Sequence, residues 1–132
     1  MSARRDAERG GRLAESVCAG WLALHGWRIR ARRARTPVGE IDLVATRGGT
    51  IAFIEVKQRA DTGAAAHSIH PRQQERIARA AAAFMQRQRH LAQLQPRFDV
   101  MLIVPWRLPV HIPNAWHILA PQVRSRFSTR FP

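Results

Sequence analysis

Two glycines, Gly48-Gly49, separate two runs that both read as β-strands, Glu40–Thr46 and Thr50–Gln58. Two loop residues of this kind between alternating apolar stretches specify a tight antiparallel hairpin. A hairpin of known loop length has a known register, and register decides which side chains share a face. With Gly48 and Gly49 as the loop, Arg47 faces Thr50, Asp42 faces Glu55 and Glu40 faces Lys57. Alternation then sends Glu40, Asp42, Glu55 and Lys57 to one side of the hairpin. Ile41, Leu43, Ile54 and Val56 go to the other, as a continuous apolar surface.

Like charges directly opposite each other destabilise a sheet, so Asp42 against Glu55 is a poor choice for stability alone. A cation between them removes the objection. Hard divalent ions take carboxylate oxygens, and magnesium is satisfied with one or two of them plus water and a substrate phosphate. Lys57 would stand beside such an ion. It is the only lysine among 22 Lys and Arg residues. A compact ammonium differs from a guanidinium in shape and in the ease with which its pKa moves. Beside a divalent ion it can orient a nucleophile or offset charge developing on phosphorus. An exposed ion pair is the commoner use of an E-x-K triplet.

The rest of the chain frames this hairpin. Apolar residues Leu13, Ala14, Val17, Cys18, Trp21 and Leu22 recur at helical spacing from about Asp6 to His25, with Gly26 placed to end the helix. Trp27–Arg32 alternates as a strand, and Thr36–Gly39 is a turn. Arg59–His70 is a polar loop. Pro71 opens a second helix to about Arg89, with Ile77, Ala80, Ala81 and Phe84 facing inward. Arg97–Val104 is a fourth strand, and Val110–Ile118 a short edge strand weakened by Pro113. The order α-β-β-β-α-β-β defines an α/β fold, a mixed sheet of four to five strands flanked by helices. Residues 1–120 form one domain and 121–132 a basic tail expected to be partly disordered.

A net charge of +13 favours polyanions, nucleic acid first. The lone Cys18 excludes an internal disulfide and any multi-cysteine zinc site. No stretch is apolar enough to span a bilayer and no signal-peptide core is visible, so a cytoplasmic protein without a membrane partner is expected. Arg72, Arg76 and Arg79 form one stripe on the second helix. With Arg32, Arg33, Arg35 and Arg59 they are the candidate phosphate contacts. Arg97 and Asp99 are expected to pair near the site, and Trp106 and Trp116 to pack on the sheet rather than stack on bases.

Gly39-Glu40-Ile41-Asp42-Leu43 followed by Phe53-Ile54-Glu55-Val56-Lys57 resembles the PD-(D/E)XK, or restriction-endonuclease-like, superfamily. From Leu13 to about Trp116 the chain is similar to the YraN family, described as Holliday-junction-resolvase-like. Further matches are Ala14-Glu15, His25-Gly26-Trp27, Gln58-Arg59 and Arg97-Phe98-Asp99-Val100. The resemblance implies a Mg²⁺- or Mn²⁺-dependent endonuclease acting on nucleic acid, DNA before RNA, with branched junctions as a candidate substrate. It implies Asp42 and Glu55 as metal ligands, Lys57 as the catalytic ammonium and Glu15 as a first-helix glutamate joining the site. Junction-cutting relatives act as dimers, so a homodimer is a candidate state. Glu15 paired with Arg12, and Glu40 paired with an arginine or reaching the metal through water, are the competing roles. Many relatives carry a lysine near the start of the second helix. Here Arg72-Gln73-Gln74 stands there; some nucleases of the superfamily place a glutamine at this point, so one of these is a candidate to reach the site, with solvation of the helix surface as the default role. Family membership carries fold further than activity. The alternative is a binding module that recognises nucleic acid without cutting it.

Overall fold

The computed structural model describes residues 2–116, and the tail 121–132 lies outside the described residues. Helix α1 (Ser2–Leu24) is followed by β1 (Arg28–Arg35), β2 (Glu40–Arg47) and β3 (Thr50–Gln58). Helix α2 (Pro71–Arg87), β4 (Gln95–Ile103) and β5 (Val110–Trp116) complete the order. The five strands form one sheet in the order β1-β2-β3-β4-β5. Only β3 and β4 run parallel, because α2 intervenes and returns the chain to the same end. The expected α/β architecture and element order are present.

Local chemistry accounts for the boundaries. Gly26 has φ +86° and closes α1. The Gly26 N–H bonds the Ala23 carbonyl and the Trp27 N–H the Leu22 carbonyl, the paired bonds of a Schellman ending. Gly48 has φ +59° while Gly49 does not enter the left-handed region, as a type II′ hairpin turn requires. Helix α2 begins with Pro71 at its first turn, and His70 Nδ1 accepts from the Arg72 N–H at 3.1 Å. β5 is an edge strand whose pairing slips between Phe98 and Val100, close to Pro113.

Strand alternation sorts the core into two layers. On one face Ile51 and Phe53 of β3 and Phe98, Val100 and Leu102 of β4 pack with Ile77, Ala80, Ala81 and Phe84 of α2. On the other, Ala52, Ile54 and Met101 pack with Cys18 and Leu22 of α1 and with Trp27. The central strands are buried on both faces, as a sheet covered by helices on both sides requires. Phe53 stacks on Phe98 at 5.8 Å and Phe98 on Trp116 at 5.3 Å between ring centroids. Ala66 and Ile69, within the loop expected to be polar, also enter the α2-side core.

Three expectations need correction. Ile41 does not join Leu43, Ile54 and Val56 in one apolar surface. It packs in the α2-side cluster with Val44, whereas the other three belong to the α1 side. Alternation is therefore interrupted between Ile41 and Val44, at Asp42. Trp116 is buried as expected, but Trp106 is fully exposed. It follows Pro105 in a turn beyond the end of β4, where no helix among the described residues covers it. Arg97 and Asp99 do pair, but their partners lie around Trp27 and β5 on the α1 face, the reverse of the face on which Glu55 meets α2.

Candidate functional site

The hairpin register is the one expected, Arg47 with Thr50 through Leu43 with Ile54. The ladder then stops. Asp42 and Glu55 form no ladder pair; instead Asp42 Oδ2 accepts a hydrogen bond from the Val56 N–H at 2.9 Å. On the other side of β2, Arg32 pairs with Leu43 and Ala34 with Ile41. The residue between, Arg33, has φ +52°, a conformation costly for a side chain with a Cβ. The β1 register runs unbroken past Asp42, with Arg33 opposite it, and only the β3 ladder ends there, so β2 and β3 part beside Asp42. Two carboxylates face each other most cheaply where the strands part and a backbone donor satisfies one of them.

Glu55 and Lys57, two residues apart on β3, share the α2 face, with Lys57 Nζ 3.3 Å from Glu55 Oε2. Gln73 joins them. Its Nε2 donates to Glu55 Oε2, and its Oε1 accepts from Lys57 Nζ at 3.5 Å. Solvation is the default expectation for this stretch, but Gln73 takes the other role that the resemblance allows a glutamine here, and reaches Glu55 and Lys57. The Glu55 carboxyl is pushed up to about 7, first by burial and then by the Asp42 charge, against a smaller lowering by Lys57. The site therefore gathers more partly buried negative charge than its one ammonium neutralises.

Glu15 reaches the same neighbourhood from α1 and is buried. Burial and the Asp42 charge raise its pKa against the opposing pull of Arg33 and Arg32. Its ion-pair partner is Arg33, with Nε 3.5 Å from Oε1, and not Arg12, the partner in the competing role. That separation is long for a hydrogen bond, and Glu15 Oε1 and Arg33 Nε are both buried without one. Glu40 lies between Arg33 and Arg35, with Nε atoms at 3.9 and 3.6 Å. The acidic face expected for Glu40, Asp42, Glu55 and Lys57 thus divides. Glu55 and Lys57 meet Gln73, while Glu40 is drawn to β1.

Asp42 is the group common to both halves: its charge acts on Glu15 and Cys18 of α1 and on Glu55. Among the described residues no three His, Cys, Asp or Glu side chains are grouped closely enough to hold a metal ion. What the fold offers is two carboxylates, Asp42 and Glu55, with the orphaned Glu15 oxygen nearby. Two carboxylates suit magnesium, which keeps several waters.

Arginines surround the site. Arg12, Arg33 and Arg35 line an open pocket with Glu40. Arg32 donates to Ser16 of α1, Arg59 donates to the Gln58 carbonyl, and Arg72, Arg76 and Arg79 are exposed along α2. The Arg76 side chain passes over Gly39, where a Cβ would meet it at 3.4 Å.

The profile of Uncharacterised protein family UPF0102 matches residues 14–103. The chain belongs to this family. A UPF0102 protein of Paramagnetospirillum magneticum is 48% identical over 120 residues, 88% of this chain and 93% of the relative. One of Rhizorhabdus wittichii is 48% identical over 117 residues, 89% of this chain and 98% of the relative. One of Parvibaculum lavamentivorans is 51% identical over 110 residues, 83% of each chain. The UPF0102 match contains Glu15, Asp42, Glu55, Lys57 and Gln73, and it ends at the last residue of β4. It also contains Asp99, fully buried, which accepts from Arg97 at 2.9 and 2.8 Å and from the Asn114 N–H at 2.9 Å, with His111 Nε2 at 2.7 Å. Burial alone would raise its pKa, but these hydrogen bonds outweigh it and hold the carboxyl below the usual range.

Proposed function

We propose that this chain is a Mg²⁺- or Mn²⁺-dependent endonuclease hydrolysing phosphodiester bonds in nucleic acid, with DNA the leading substrate. The observation that carries the reading is Glu55, largely withdrawn from water beside the Asp42 charge with its carboxyl at about 7. Such a placement costs stability and is compensated when a cation binds. Asp42 and Glu55 would hold the ion, and the Glu15 carboxylate, orphaned at Oε1, stands outside that pair and feels it through the Asp42 charge. A divalent ion bound there would supply Lewis-acid polarisation of the phosphoryl group.

The chain's own residues do the remainder. Lys57 Nζ, held by Glu55 and Gln73, donates to phosphoryl oxygens as negative charge develops on them. Gln73 keeps that ammonium and the Glu55 carboxyl in one arrangement. Arg12, Arg33 and Arg35 around the adjoining pocket, and the exposed arginines of α2, attract the phosphate backbone. An acidic centre within a surface of net charge +13 suits hydrolysis better than binding alone. Glu55 must lose its proton to serve as a ligand, so metal affinity rises with pH through about 7.

A second reading is a binding module that does not cut. It is favoured by Gln73, which satisfies Glu55 and Lys57 without any ion. Purified protein offered single-stranded, duplex, flapped and branched DNA and RNA with Mg²⁺ or Mn²⁺ separates the two. Cleavage that disappears in Lys57→Ala and Asp42→Ala supports the nuclease. Steeply salt-dependent binding with no cleavage and no heat of divalent-ion binding supports the module and sinks the nuclease.

A further inference from the structure

β4 ends at Ile103, and the chain turns through Val104-Pro105-Trp106-Arg107 before β5. The Arg107 N–H bonds the Val104 carbonyl at 3.2 Å, closing a four-residue turn with Pro105 and Trp106 at its centre. Trp106 has φ +63°. A turn with proline second and positive φ third is one that ordinarily takes glycine or asparagine. Here the largest of all side chains occupies that position, and it is 102% exposed. The residue therefore carries two costs with no packing return among the described residues. Its backbone is in the left-handed region, and its indole lies entirely in water. Strain of this kind persists where something other than stability retains it.

The place of the turn gives it a use. Lys57 pairs with Leu102 and Gln58 with Ile103 in the parallel β3–β4 ladder. The Arg59 N–H then bonds the Ile103 carbonyl at 3.0 Å. The strand that carries Lys57 and the strand that leads into Trp106 thus end together, side by side. Trp106 is three residues beyond the last rung, with exposed Arg107 next to it. A flat π surface in water beside guanidiniums suits a nucleobase that has left its helix, and base–aromatic stacking is tolerant of base identity. A base still paired within a duplex offers no face to it.

We propose that Trp106 is a stacking platform for an unpaired nucleobase, so that the nucleic acid bound at the Lys57 site carries single-stranded positions next to the scissile region. This rests on the reading of the Lys57 site as one that receives nucleic acid.

The test is equilibrium binding in EDTA, where no cleavage occurs. Its probes are a labelled blunt DNA duplex and the same duplex extended by a single-stranded oligothymidylate arm. Wild-type protein is expected to prefer the armed probe. Trp106→Ala is expected to weaken binding of the armed probe by at least about fivefold and to leave the blunt duplex within about twofold, while Trp106→Phe retains most of the preference. Trp106→Gly is expected to lose the preference with no fall in melting temperature, since it relieves the left-handed strain. That pattern excludes a merely structural role. Binding by Trp106→Ala that matches wild type on both probes, or falls equally on both, overturns the stacking platform alone. Wild-type protein that binds neither probe overturns the nucleic-acid reading of the site and the platform with it.

Discussion

Replacing Glu55 by glutamine keeps the side chain's volume and removes its charge. The Glu55 carboxyl lies at about 7 in the fold against 4.5 for the free side chain. A carboxyl raised in the folded state holds its proton more tightly there than in the unfolded chain. Its stabilising contribution is therefore complete below 4.5 and is lost as pH rises through about 7. The difference corresponds to roughly 3 kcal/mol, a large share of the roughly 5–15 kcal/mol typical of a domain. In EDTA, wild-type unfolding free energy should fall by about that amount between about pH 4.5 and pH 8. Glu15, raised for the same reason, adds to the fall. Asp99, held low, acts only at more acid pH. Glu55→Gln should lose the larger part of the slope and keep the part due to Glu15. Urea unfolding at several pH values gives both slopes, and the histidines cancel in the comparison. Saturating Mg²⁺ should raise the wild-type melting temperature above pH 7 and leave that of Glu55→Gln unmoved. Parallel slopes for the two proteins would show that Glu55 is not strained by burial and by Asp42, and the case for a cation there would go with it.

Lys57→Arg keeps the charge but places a planar fork between Glu55 and Gln73. Cleavage should drop roughly 100-fold or more, with the melting temperature within a few degrees of wild type, and normal cleavage would remove the special role of the ammonium. Asp99→Asn should cost about 3–5 kcal/mol in urea unfolding, because Arg97, His111 and Asn114 all converge on that carboxylate. A loss below about 1 kcal/mol would mean that this cluster does not clamp β5 to β4. The stability Asp99 contributes is present above 3.8 and disappears as pH falls through its lower folded value. Cys18 is fully buried and its thiol is pushed up to about 12. It should react with thiol reagents only as fast as the protein unfolds, and rapid labelling of the native protein near pH 8 would contradict that burial.

Local rules sufficed for a good part of this molecule. The Gly48-Gly49 turn and strand alternation determined the hairpin register, and with it the pairing of Glu55 and Lys57 on one face. Gly26 and Pro71 marked a helix end and a helix start because both act through their own backbone geometry. The reverse side of the hairpin departs from alternation, which assumes an unbroken strand, because the strand is interrupted at Asp42, where the carboxylate takes a hydrogen bond from Val56. Which elements approach each other was the work of tertiary packing. Only the seating of α2 on β3 brings Gln73 between Glu55 and Lys57. Only the approach of α1 to β1 buries Glu15 against Arg33. Trp106 shows the same division from the other side. Its apolar ring predicted packing, but burial needs a partner surface, and beyond the end of β4 the described residues supply none. Short-range covalent and hydrogen-bond geometry is written residue by residue along the chain, whereas burial and long-range electrostatics exist only once distant elements meet.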